Sequence, residues 1–143
     1  MYNGYVIKVK GVSGTSASSD YIVPMQYMIE RTYKGTYSVL DGDSKRNGNG
    51  VLVRTVLPHK VAHCAVDIRP LSSAEVGPMM TAIQARYLPN KENEKKVKAS
   101  IWVAEINDYV EADFYIPDIE FTVRKLENTK VLYEQFTIEF IGY

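Results

Sequence analysis

The stretch VLVRTVLPHKVAHCAVDI, Val51 to Ile68, carries the pattern on which the fold turns. Its odd positions are mostly apolar up to Leu57, and its even positions Ala62, Cys64, Val66 and Ile68 are apolar afterwards. A β-strand repeats every two residues, so a change of phase inverts the inward face and calls for a bulge or tight turn at Pro58-His59. The stretch is then either one bent strand passing between two sheets or a hairpin. Read as a strand, it also disposes of the metal site suggested by His59, His63 and Cys64. Residues four apart on a strand stand roughly 13 Å from each other, beyond a shared ion. Cys64, in the apolar phase with Ala62 and Val66, reads as a small core residue, and as the only cysteine it excludes an internal disulfide.

Immediately before this stretch, DGDSKRNGNG from Asp41 to Gly50 has no apolar side chain. Its glycines and Asx residues supply turns, and Asp41, Asp43, Lys45 and Arg46 supply both signs of charge, which suits docking against a neighbour. We expect a long protruding loop at about 41–50, ordered by something outside the fold. Asp43, Lys45, Arg46, Asn47 and the nearby Arg54 are its candidate subunit-interface residues. A calcium loop is excluded: Lys45 takes the fifth position, Arg46 stands where glycine is required, and Leu52 replaces the terminal carboxylate. Lys45, Arg46 and Arg54 lack the interleaved aromatics that stack single-stranded bases, so pairing with a carboxylate of another subunit is their better use.

Further towards the amino terminus, Tyr5, Ile7 and Val9 alternate with Val6, Lys8 and Lys10 and predict a half-exposed strand, ended by a mobile Ser/Gly-rich loop from Gly11 to Asp20. The odd positions from Tyr21 to Tyr33 predict a long strand, which Pro24 marks as an edge or a bulge. On the carboxyl side, Ser72 followed by Glu75 is a capping box, and Val76, Met79, Met80, Ile83, Tyr87 and Leu88 recur at helical spacing. The helix either kinks at Pro78 or begins at Gly77-Pro78, and Pro89 closes it. Four strand patterns follow, Val97 to Ile106, Tyr109 to Ile116, Ile119 to Lys125 and Val131 to Ile141, separated by breaks short enough to favour antiparallel hairpins.

These elements predict a mainly β (α+β) fold in which two packed antiparallel sheets, or a part-closed barrel, are covered on one side by a single amphipathic helix. At 143 residues the chain suits one domain, 1–143. Seventeen basic residues balance seventeen acidic ones, so no global field draws it to nucleic acid or an anionic membrane. No membrane insertion is expected, since no stretch approaches the roughly 20 apolar residues of a span. The first twenty residues lack the apolar block of a secretory signal, and a lone cysteine fits a reducing cytoplasm. Eleven tyrosines are either interface material or strand formers.

On the strand from Tyr109, Glu111 and Asp113 share a face with Tyr109 and Tyr115. At roughly 7 Å apart the two carboxylates have a spacing that hydrolysis of a saccharide could use. The plainer reading is a solvent- or subunit-facing side of a strand whose other phase, Val110, Ala112, Phe114 and Ile116, enters the core. We therefore expect no enzyme, no cofactor and no metal. Tyr109 and Tyr115 join the candidate subunit-interface residues, and edge strands left by such a fold can pair between copies. The alternative is a carbohydrate- or cell-surface-binding β-sandwich, with Tyr109 and Tyr115 stacking sugars.

Ser44 to Arg54, the strand that follows to Arg69, and the Leu71-Ser72 to Glu75 helix start together resemble a family of small phage and prophage tail proteins, over about residues 38–88. Where such proteins usually carry an acidic residue after the arginine, this chain has Thr55. The resemblance implies a tail-tube-like or distal-tail-like fold, a structural subunit closing into a hexameric ring at the tube or the distal tail or baseplate, and a long loop, Gly42 to Gly50, reaching onto a neighbour. It also implies the tape-measure protein and other tail proteins as partners, DNA passing without specific contact, synthesis in the host bacterial cytoplasm and a final place in the virion tail.

Overall fold

The computed structural model describes residues 1–13, 17–41, 45–53 and 56–143, with backbone alone at 39–41, 45, 53 and 56–59. A seven-stranded antiparallel sheet forms the body. In chain order its strands are β1 (Ile7–Val9), β2 (Tyr21–Ile22), β3 (Lys34–Asp41), β6 (Val56–Ile68), β7 (Lys96–Val103), β8 (Asp108–Tyr115) and β11 (Phe136–Gly142). Across the sheet they lie β2-β1-β7-β8-β11-β6-β3. Two short hairpins stand apart from it, β4 (Lys45–Arg46) with β5 (Leu52–Val53), and β9 (Val123–Leu126) with β10 (Val131–Tyr133). The expected mainly β fold with one helix is therefore present. Its main sheet curls until Gly35 of β3 meets the carbonyl of Trp102 at the end of β7, where a Cβ would collide with backbone.

One strand, not a hairpin, runs from Val56 to Ile68. Ala62, Cys64, Val66 and Ile68 point into the core, as their phase requires. The irregularity expected at Pro58 is present too: the ladder with β3 shifts between Val39↔Lys60 and Asp41↔Val56, so β6 carries extra residues around its proline. Burial pushes the Cys64 thiol well above its ordinary range, which fits a packed core atom and not a nucleophile.

The helix α1 (Ser73–Gln84) starts at its capping box, where the Ser72 N–H donates to Glu75 Oε1 at 3.3 Å, so Pro78 lies inside it and does not begin it. It ends at Gln84, short of the expected Leu88. There Arg86 Nη1 donates to the Ala82 carbonyl at 2.7 Å and Nε to the Ser19 carbonyl at 2.9 Å. Val76, Met79 and Ile83 bury its apolar stripe in the same core as Phe114, Ile138 and Phe140. Among the described residues no helix is long and apolar enough to cross a membrane.

Three expected elements differ. The long strand from Tyr21 stops at Ile22, because Pro24 offers no N–H to a ladder and a 3-10 turn, Met25–Tyr27, follows; Arg31 then takes φ +70°. The loop after Gly11 is pinned on both sides of residues 14–16, by Gly11 N–H to Asp20 Oδ1 at 3.0 Å and by the buried Ala17. Finally, the carboxy-terminal strands do not form a simple meander. β9 and β10 pair with each other outside the main sheet, with Leu132 of β10 bridged to Ser72, the pattern from Val131 breaks at Glu134-Gln135, and β11 inserts between β8 and β6.

Candidate functional site

Residues 45–53, which include the described end of the polar stretch, make their own order. Lys45↔Val53 and Arg46↔Leu52 pair, and Asn47 closes the turn: its N–H donates to the Val51 carbonyl at 2.8 Å, and its Oδ1 accepts the N–H groups of Asn49 at 3.0 Å and Val51 at 3.1 Å. Arg46 Nη1 donates to the Gly50 carbonyl at 3.0 Å. A short side chain bonding two residues on is the Asx device that stabilises turns without any partner, so the expectation that an outside contact is needed to order this segment gives way at 45–53. What the hairpin leaves unsatisfied is apolar, with Val51 59% and Leu52 48% exposed. Asp43 and Arg54, two of the expected interface residues, lie outside the described residues, and Lys45 is described by its backbone pairing alone.

The other two expected interface residues have different surroundings. Tyr109 is half-buried: its ring stacks on Tyr5 at 4.5 Å and meets the edge of Trp102 at 5.2 Å. Its hydroxyl donates to the Tyr5 carbonyl at 2.7 Å and accepts the Asn3 N–H at 2.9 Å. It thus fastens the amino-terminal segment to β8 and offers no bare ring to a sugar. Tyr115 is exposed, edge-on to Tyr143 at 5.8 Å, with Lys96 Nζ 4.3 Å from the centroid of the Tyr143 ring.

Between these two tyrosines the sheet is incomplete. β11 reaches β8 only at Ile141↔Tyr115 and Gly142↔Phe114, whereas β8 runs on to Asp108 and β6 runs back to Val56. A cavity of about 460 Å³ opens there, lined by Tyr37, Lys60, Ala62, Tyr143 and the four consecutive residues Val110 to Asp113. Consecutive residues of one strand show that its edge lines the cavity, because a face contributes only alternate ones. The Tyr143 N–H donates to the Asp113 carbonyl at 3.2 Å, so Asp113, and by alternation Glu111, turn their backbone groups away from β7 and into this slot. Gly142 lies so close to Ala62 N and O that a Cβ would clash, which turns Ala62, and by the same alternation Lys60, towards the slot from the other wall.

Both acidic residues noted on this strand line the slot. Glu111 has Lys10 Nζ at 3.9 Å, while Asp113 Oδ1 is shut off from solvent without a hydrogen-bond partner. Lys60 lies over the Tyr37 ring at 5.2 Å. A buried acceptor left unpaired costs about 1–3 kcal/mol. Nothing in the sequence pattern announces the slot, because it depends on where β11 ends relative to its two neighbours. Among the described residues no group of His, Cys, Asp and Glu is placed to hold a metal ion, and His63 Nε2 lies 2.7 Å from Glu139 Oε1 on the next strand.

A family model matches residues 1–143. The chain belongs to DUF6711, a family of unknown function. No curated protein matches this DUF6711 chain. Among solved structures, it is similar to a chain of the tail of an empty gene transfer agent particle with C6 symmetry, at 14% identity and TM-score 0.46, covering 100% of this chain and 96% of that one. A chain of the native gene transfer agent virion is similar at 13% identity and TM-score 0.46, over the same shares of each.

Proposed function

We propose that the protein is a structural subunit of a phage or phage-derived tail, which closes with copies of itself into a ring, six in number, at the tube or its distal end. It has no catalytic part in this reading. The resemblance of residues 38–88 to small tail proteins supplies the class, and one structural observation carries the mode of action. The hairpin 45–53 is finished internally by its own turn, yet holds Val51 and Leu52 in water, which is the form of a contact element waiting for a surface. The outer edge of β3, eight residues long with no strand beyond it among the described residues, gives a second route to association through backbone pairing. A ring so formed carries the tape-measure protein and DNA through its centre without base-specific contact, in a virion tail whose subunits are made in the host bacterial cytoplasm.

The test is light scattering and negative-stain imaging of the purified chain over a concentration series, with a variant lacking 45–53. Rings from the intact chain, and a folded but solitary variant, are expected. An intact chain that stays solitary at millimolar concentration, or ring mass unchanged by the deletion, overturns the reading.

A further inference from the structure

The hairpin β9–β10 and the slot beside β8 lie at opposite ends of β11, since β10 ends three residues before Phe136 and the slot opens beyond Gly142. Seven residues of strand separate them by about 20 Å. They cannot meet within one chain, and their chemistry is complementary. β9 is exposed along its whole length and pairs only with β10, so its outer edge has no strand beside it among the described residues. Its sequence, Val123-Arg124-Lys125-Leu126, joins two basic side chains to two apolar ones that are 49% and 73% exposed at Val123 and Leu126. The slot offers an unpaired strand edge at Glu111, an acidic side chain at Asp113 with one buried oxygen unpartnered, and Val110, Ala112 and Ala62 as apolar lining, with Lys60 on the opposite wall.

We propose that β9 of one copy adds to the β8 edge of the next, with Lys125 paired with the Asp113 carboxylate and Leu126 turned towards Val110 and Ala112. Alternation along a strand supports this assignment. Lys125 and Leu126 point to opposite faces, as do Asp113 and Ala112, so one register satisfies both the ion pair and the apolar contact. Arg124 remains with Glu134 of its own hairpin, 4.0 Å away, and Glu111 with Lys10. Because donor and acceptor are different surfaces of the same chain, the contact is head-to-tail, the kind that closes rings when the rotation permits and grows filaments when it does not. It rests on the self-assembly reading above and names a contact that the 45–53 hairpin does not make.

Charge reversal tests it in the full-length chain. Lys125→Glu and Asp113→Lys should each weaken association at least tenfold by sedimentation velocity while leaving the circular dichroism spectrum unchanged. An equimolar mixture of the two should recover it, because each then meets a complementary partner on both sides. Singles that associate like the parent protein, or a mixture that stays dissociated, overturn the contact while leaving the assembly reading standing. A parent chain that never associates overturns both.

Discussion

The two tyrosines that look interchangeable in sequence, Tyr109 and Tyr115, should answer the same substitution differently. Tyr109→Phe keeps the ring stacked on Tyr5 and edge-on to Trp102 but deletes two hydrogen bonds, to the Tyr5 carbonyl at 2.7 Å and from the Asn3 N–H at 2.9 Å. At about 1 kcal/mol net for each, the loss is about 2 kcal/mol. Unfolding entropy of roughly 2.1 cal/mol/K per residue gives about 0.3 kcal/mol/K for 143 residues, so the midpoint should fall by about 7 °C. Tyr115→Phe removes a hydroxyl that has no hydrogen bond to the described residues, and should move the midpoint by less than about 2 °C, as ordinary surface changes do. Differential scanning calorimetry on dilute protein measures both, and amide exchange adds a local signature, faster exchange at Asn3 in the first variant only. Equal shifts in the two variants, or unchanged protection at Asn3, would refute the assignment of Tyr109 as the anchor of the amino-terminal segment.

Other outcomes follow from single contacts. Gly35→Ala should destabilise by at least the 1–3 kcal/mol of an overpacked site, because the added carbon meets the Trp102 carbonyl and the Tyr33 hydroxyl, and urea midpoints would show it. Phe114→Ala, which empties a fully buried ring packed edge-to-face on Phe140 with centroids 6.1 Å apart, should cost about 3–5 kcal/mol in the same assay. Acid should erode stability in a defined window. Asp20 is held below the ordinary carboxyl value of 3.8 chiefly by the Gly11 N–H, and Asp118 below 3.8 by its hydrogen bond from Lys95. A carboxyl lowered in the folded state contributes fully above pH 3.8, and that contribution is lost as pH falls through the lowered value. Carboxyl carbon titration by NMR should place both midpoints below 3.8, and a midpoint at or above it for Asp118 would remove Lys95 as its partner.

How much of this was legible beforehand depends on whether local pattern or long-range placement decides a residue's environment. The even phase from Ala62 to Ile68, the bulge at Pro58 and the capping box of Ser72 and Glu75 are local, and each appears where the spacing puts it. The alternation from Tyr21 to Tyr33 is local too, but misleads, because Pro24 removes a donor and the chain turns while Val23 still finds the core. Tyr109 and Tyr115 share a strand face, yet their roles are set by what other segments bring, Tyr5 and Asn3 to one and Tyr143 to the other.

The placement of β11 is the step that the sequence conceals and from which the candidate surfaces follow. Four strand patterns in succession suggest neighbours in chain order, and β7 with β8 obeys that rule. β9 and β10 depart from it: held to the start of α1 by the Tyr133 N–H on the Leu71 carbonyl at 2.8 Å, they are kept off the main sheet and leave the place beside β8 to β11. That strand fills only part of the length available to it. One event therefore produces both an excluded strand with an open edge and a sheet with a strand-shaped opening, one basic and the other lined by an aspartate with an unpartnered oxygen. In the proposed contact the surplus strand of one copy fills the opening of the next, which is the physical content of reading the protein as a self-assembling part.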